Sequence, residues 1–336
     1  MSRVYILAVF IPVAIALKLA NASDTAVFFT AALGIVPTAQ LMSDATEALA
    51  ARAGPGIGGL LNVTFGNAPE LIIAIFALGK GLQEVVKASL VGSIIGNVLL
   101  VMGFAMLTGG LRRGRQRFTR EHVWPQSRAL LLTCGLLVVI ALARAIGGDG
   151  LPGVTEEHPR YSHALEGTSL VLALGLLLTY AIGLGYQLRG RRGRFAPVTQ
   201  PNPHEGSWSV RTSVILLAIS GVLVGVMSDV LVHSIEGASH AVGLSPFFIG
   251  VFVVGIVGNA AEHWVAVVVA MKNQMDLALN IAIGSSVQIA MFVVSLLVLL
   301  SFAIGPHPMA LVFNGYEVAA LLAAGAVAAL VTRDGR

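Results

Sequence analysis

Glu70 and Glu262 carry the clearest chemical consequence in the sequence, because each lies deep inside a long apolar run. An ionised carboxylate at membrane depth costs on the order of 3 kcal/mol or more unless it is paired, so such residues mark functional positions by default. An asparagine stands three residues before each, Asn67 and Asn259, and residues i and i+3 share a helix face. A carboxylate beside an amide carbonyl offers the hard oxygen ligands that Ca2+ takes. Gly66 and Gly258 precede the asparagines and weaken the helix there. Pro69 has no N–H for the Phe65 carbonyl, which leaves one more oxygen for an ion. Downstream of the glutamates come Ser93 with Asn97 at i,i+4 and Ser285 with Gln288 at i,i+3. For the two serines, interhelical packing, helped by Gly92-x-x-x-Gly96, competes evenly with lining a site. His263, beside Glu262, suits a proton relay or, equally, a packed histidine.

Two carboxylates at one site also supply a coupling device. With Ca2+ bound, or with both groups protonated, the site is close to neutral. Empty and doubly ionised, it holds two uncompensated charges and crosses a dry, occluded state only at great cost. The two groups titrate as a unit. Competition between Ca2+ and protons for one set of oxygens is then sufficient for obligate exchange.

The elements that position these residues are duplicated. A shift of 192 residues lays 57–93 on 249–285 with ten gapless identities, among them Gly66/Gly258, Asn67/Asn259, Glu70/Glu262, Lys80/Lys272 and Ser93/Ser285. The bland alternative, a structural glutamate satisfied by a neighbour, is the weaker reading for two glutamates related in this way. Ten runs are long and apolar enough to be spans of about 20 residues: 4–22, 25–43, 56–79, 85–107, 129–147, 167–187, 212–232, 244–271, 275–304 and 309–331. Runs of this length in lipid are helices, so the expected class is an all-α membrane protein. The two motif helices, 56–79 and 244–271, lie an odd number of spans apart and enter the membrane from opposite sides. That is the inverted-topology repeat of many secondary transporters, whose site lies where the repeats meet. The expected organisation is a leading helix in 1–24, a first half in 25–187, a cytoplasmic linker in 188–211 and a second half in 212–336. The first half has five helices. The second has four, one short, so reduced stability or a neighbouring copy covering the flank is expected.

Composition agrees with a lipid solvent. Of 336 residues, 56% are apolar and only 11% are charged, with a mean hydropathy of +0.84. Soluble domains carry about 25% charged residues, so a soluble enzyme or a disordered chain is excluded. The single cysteine, Cys134, makes no intramolecular disulfide. The first run follows only Arg3 and lacks a small-residue cleavage site, which reads as a retained helix rather than a signal peptide. Numbering compartments along the spans puts 16 lysines and arginines on the N-terminal side and five, Lys18, Lys80, Lys87, Arg144 and Arg160, on the other. The positive-inside rule then places both termini in the cytoplasm. Arg115 and Arg192 should face inward and His158 outward. The arginine clusters at 112–120 and 189–194 read first as topology determinants; the sharper reading is an anionic-lipid or nucleic-acid patch.

At the glutamates the chain resembles the Ca2+/H+ antiporter (cation/proton exchanger) family of the Ca2+:cation antiporter superfamily. Gly66-Asn67-Ala68-Pro69-Glu70 and Gly258-Asn259-Ala260-Ala261-Glu262-His263 are similar to its paired GNxxE signatures, and Gly284-Ser285-Ser286-Val287-Gln288 to the tract after the second. The resemblance runs from about residue 30 to about 331. It implies Glu70 and Glu262 as shared Ca2+ and proton sites, with Asn67, Asn259, Ser93, Ser285 and Gln288 around them. Three features depart from the family pattern: ten spans instead of the usual eleven, Gly255 where proline is common, and a linker whose one acid is Glu205. The expectation is therefore a Ca2+/H+ antiporter in a plasma (inner) membrane, prokaryotic by its bare termini. It would have no cofactor, no enzymatic activity and no nucleic-acid partner, and it could form a homo-oligomer. An Na+-driven Ca2+ exchanger of the same superfamily is the runner-up, and a passive cation channel is the alternative of another class.

Several other signals are weaker. Gly54-Pro55-Gly56-Ile57-Gly58-Gly59 looks like a phosphate loop, but it has no preceding strand and no following Lys-Ser/Thr. Glu156, Glu157, His158 and His163 read as a solvated outer loop. Asp44, Glu47 and Asp229 are acids near the membrane and are weaker candidates for gating or entry roles.

Overall fold

The computed structural model describes residues 3–153, 161–188 and 208–335, and every regular element among them is helical. Arg160, Glu156, Glu157, His158, the second arginine cluster with Arg192, and nearly all of the 188–211 linker lie outside the described residues. The α-helices are α1 (Phe10–Leu19), α2 (Asp24–Phe65), α3 (Ala68–Gly79), α4 (Gln83–Ile95), α5 (Met102–Arg113), α6 (Arg120–Ile146), α7 (His163–Leu188), α8 (Val210–Val242), α9 (Pro246–Ile249), α10 (Gly255–Gly258), α11 (Ala260–Met271), α12 (Met275–Gln288), α13 (Val294–Ser301) and α14 (Gly315–Val331). By length and composition six helical stretches can cross a membrane: Asp24–Ala53, Gln83–Arg113, Arg120–Ile146, His163–Tyr186, Val210–Val242 and Met275–Ser301. The broken pair Pro246–Gly258 and Ala260–Met271, bent by 61°, makes a seventh if counted as one span. Val4–Leu19, Ala68–Gly79 and Gly315–Val331 are shorter apolar helices. The all-α membrane class expected from the sequence is the observed one.

Several boundaries need correction. The expected span 25–43 runs on to Ala53, 129–147 starts already at Arg120, and 212–232 extends through Val242. Polar caps and bends, not the loss of hydrophobicity, end these helices. Helix α8 starts where the Ser209 hydroxyl accepts from the Thr212 N–H and stops at Gly243, in the left-handed conformation with φ 70°. The expected span 309–331 is helical only from Gly315. Before it, Met309 to Asn314 run as irregular but buried backbone. Its N–H groups are satisfied by buried hydroxyls: Met309 N donates to Ser301 Oγ at 2.7 Å and Leu311 N to Ser169 Oγ at 2.9 Å. Irregular backbone at membrane depth is tolerated only where protein satisfies it in this way.

The glycine-rich stretch 54–59 lies inside the helical run of α2. Eight residues of straight helix span about 12 Å, yet a β-carbon on Gly58 would collide with the Ala50 carbonyl.

The helices group into two compact units that each draw on residues from both sides of the linker: Met1–Ser89 with Pro201–Ala261, and Leu90–Gln200 with Glu262–Arg336. In the first unit α2 lies along α8, with α1 and α3 against them. Its core near the first motif packs Met42, Ala68 and Val224 with Phe65, Ile72 and Leu217. In the second unit α6 packs on α12 and α14, tied by the Thr332 hydroxyl donating to Ser127 Oγ at 2.8 Å, and α7 packs on α13.

Candidate functional site

Both motif asparagines sit where a helix breaks, in nearly the same backbone conformation. Asn67 has φ −103°, ψ 22° between α2 and α3, and Asn259 has φ −97°, ψ 5° between α10 and α11. The causes differ. In the first motif Pro69 stands at the start of α3, where its missing N–H is tolerated, and it removes the donor that would have continued α2 through Phe65. The second motif has no proline. There the Asn259 side chain donates from Nδ2 to the Gly255 carbonyl at 3.1 Å, so the amide takes part in the helix break itself.

In the first unit Asn67, Glu70, Gly258 and Asn259 are all buried, while Gly66 is half-buried. Glu70 packs directly on Gly258: an ideal β-carbon there would lie 3.0 Å from Glu70 Cγ and 3.1 Å from Oε1. The first-motif carboxylate thus occupies space that the second motif leaves open by having glycine. Gly258 acts here by close approach; its conformation is right-handed helical.

In the second unit three of the expected lining residues form one hydrogen-bonded chain. His263 Nε2 lies 2.9 Å from Asn97 Oδ1, and Asn97 Nδ2 donates to Ser285 Oγ at 3.3 Å. A carbonyl oxygen only accepts, so the His263 Nε2 carries the proton in this contact. The Asn97 amide is held at both ends. With its oxygen toward His263, its amide nitrogen is the group that meets Ser285. Ser93 and Ser285 are buried, and Glu262, His263 and Gln288 are half-buried.

Asn97 belongs to a π-helical turn, Gly96–Val101, and a second π-helical turn, Ile289–Val293, begins right after Gln288. The 192-residue shift maps 96–101 onto 288–293, so the two duplicated tracts break helical regularity at equivalent places. Such π-turns recur at functional sites. A third, Gly250–Val254, precedes α10. Sequence patterning could not reveal them, since the hydrophobic periodicity runs through all three.

The acids read as gating candidates have structural partners. Asp44 accepts from Tyr5 Oη and from Gln40 Nε2, each at 2.7 Å. Asp229 pairs with Lys18 at 2.6 Å. His163, of the outer-loop group, pairs with Glu166. Two buried ionisable groups escaped the sequence reading. Lys87 is 1% exposed and pairs with Glu84 at 2.7 Å. Glu317 is fully buried at the start of α14, where it and Asn314 form a reciprocal capping box. The spacing Asn314-x-x-Glu317 ahead of an apolar run was a legible signal for it. Among the described residues no three or more His, Cys, Asp or Glu side chains cluster as a metal centre.

The family model described as sodium/calcium exchanger protein matches residues 23–189 and 212–336. A Ca2+/H+ antiporter of Synechocystis sp. is 40% identical over 98% of this chain and 90% of its own length. The Ca2+/H+ antiporter ChaA of Bacillus subtilis is 36% identical over 100% of this chain and 93% of its own. The crystal structure of the Ca2+/H+ antiporter protein YfkE superposes with a TM-score of 0.80 at 34% identity, covering 99% of this chain and 92% of that one. With both GNxxE motifs inside the matched segments, the chain belongs to the sodium/calcium exchanger protein family, in its Ca2+/H+ antiporter branch.

Proposed function

We propose that this protein exchanges Ca2+ for H+ across a membrane by alternating access, with Glu70 and Glu262 as the carboxylates for which the two ions compete. The observation that carries the reading is the fit of Glu70 against Gly258, which joins the two duplicated motifs at one place. Relatives named as Ca2+/H+ antiporters along almost the whole chain support the same substrate pair. In this reading Asn67 and Asn259 add amide oxygens, and the backbone breaks at Gly66 and Gly258 expose carbonyls. Ser93, Ser285 and Gln288 line the site, and the His263–Asn97 pair sets the Ser285 hydroxyl. Two protons or one Ca2+ neutralise the carboxylates, and only a neutral site crosses the occluded state. Ten spans arranged as a leading helix and two inverted repeats, with both termini in the cytoplasm of a plasma membrane, complete the proposal.

The test is Ca2+ uptake by the purified chain in sealed vesicles. An imposed proton gradient, with Na+ absent, should drive accumulation, and dissipating the gradient should stop it. Uptake that needs an Na+ gradient would favour the Na+-driven exchanger, and flux indifferent to both gradients would favour a channel.

A further inference from the structure

The stretch joining α5 to α6 is built as a fixed surface. Arg113 Nε donates to the Met271 carbonyl at 3.1 Å and Gln116 Nε2 to the Ala270 carbonyl at 2.8 Å. These are last-turn carbonyls of α11, which have no partner within their own helix, and a cation is favoured there. The Thr119 N–H donates to Asp276 Oδ1 at 2.6 Å, and the Phe118 N–H to the Gly335 carbonyl at 3.3 Å. Gln116 and Phe118 are buried while Arg115 and Arg117 are exposed, the alternation of an extended segment with one face inward. Arg112, Arg113, Arg120, Arg128, Lys272 and Arg333 are exposed as well. Among the described residues none of the six arginines from 112 to 128 forms an ion pair, although Glu121, Asp276 and Asp334 are close in sequence or in the fold. Arg120 lies over the Trp124 ring, 5.2 Å from its centroid.

A topology signal requires only charge near a span, and lysine and arginine serve it alike. It requires no shape. Four hydrogen bonds that fix this segment, two from its backbone and two from its side chains, together with six exposed arginines, point to recognition of something. The segment stands between two apolar spans, Gln83–Arg113 and Arg120–Ile146, hence at the level where they leave the hydrocarbon. Trp124 is a side chain suited to that boundary. The groups present at that level are phosphates, and a guanidinium presents a fork that matches a phosphate where an ammonium does not.

We propose that the arginine face at 112–120 binds the phosphate of an anionic phospholipid from the surrounding bilayer. Through Gln116 and Arg113 the bound lipid is linked to the end of α11, the helix that carries Glu262 and His263 near its start. The site is therefore a place where membrane composition acts on the motif helix.

The experiment uses the full chain in bilayer nanodiscs, with retained lipid measured by native mass spectrometry after detergent release. Phosphatidylglycerol should be retained in preference to phosphatidylcholine. The variant R115K/R117K keeps the charge that orients the chain, and R115Q/R117Q removes it. Each arginine changed to glutamine should weaken retention about fivefold, and the lysine variant should fall between the two while inserting normally. Equal retention of both lipids by the wild type would overturn the proposal, as would unchanged retention in R115K/R117K. A short RNA that binds the purified chain as tightly as the lipid would overturn it too, in favour of a nucleic-acid face. If the glutamine variant does not insert, the lysine variant and the wild-type lipid preference still decide.

Discussion

Glu70 fills the space in which a β-carbon of residue 258 would sit, at 3.0 Å from its Cγ and 3.1 Å from Oε1. A contact that close forces a shift of a few tenths of an ångström in the side chain proposed to hold the ion. Gly258→Ala should therefore lower Ca2+ transport at least about tenfold, equivalent to ~1.4 kcal/mol at the barrier. Stability should not fall with it, because alanine in a helix gains up to about 1 kcal/mol over glycine. Transport assays paired with thermal unfolding in detergent separate the two. Equal loss of both would mean the glycine is there for folding.

Glu70→Gln and Glu262→Gln should each abolish Ca2+/H+ exchange and leave the protein in the membrane. Glutamine keeps the shape and removes the charge and the titratable proton. Near wild-type uptake by either variant would sink the shared-carboxylate mechanism.

His263→Ala should act through Asn97. Without the Nε2–H donor the amide can rotate and release Ser285. A fall in apparent Ca2+ affinity is expected for both His263→Ala and Asn97→Ala, and the double variant should be little worse than either single one. Additive losses would show that the three residues do not act as one chain.

Ser301→Ala and Ser169→Ala each remove the acceptor for a buried backbone N–H in the irregular segment before α14. Each should cost about 1–3 kcal/mol of stability. Urea or thermal denaturation in detergent measures it. A negligible change would mean that water or a shifted backbone replaces the hydroxyl.

Orientation is read from labelling by an impermeant thiol reagent. Cys134 is fully buried and should stay silent, which leaves single cysteines to report. Lys80→Cys should label from outside and Arg115→Cys only after the membrane is opened. The reverse pattern would invert the proposed topology.

The sequence by itself determined the solvent, the helical class and the residues proposed here to carry the chemistry. Hydrophobic runs and scarce charge are local properties, and lipid leaves helices as the answer for such runs. The duplicated GNxxE motifs were legible because a glutamate is costly in an apolar run and because Glu70 and Glu262 recur at the same place in both copies. What the sequence left undetermined depends on distance in the fold. The fit of Glu70 on Gly258 joins residues 188 positions apart, and the Asn97 amide takes its orientation from His263 and Ser285, far along the chain. The pairing of Asp229 with Lys18, 211 positions away, is likewise a relationship that only the fold provides. The π-turns at Gly96–Val101 and Ile289–Val293 shift the helix by one residue without altering its hydrophobicity, so no periodicity reports them. The helix expected over 309–331 begins only at Gly315, and the irregular stretch before it is held by Ser301 and Ser169, which accept from the Met309 and Leu311 N–H groups. Those hydroxyls reach the segment only when α7 and α13 have packed.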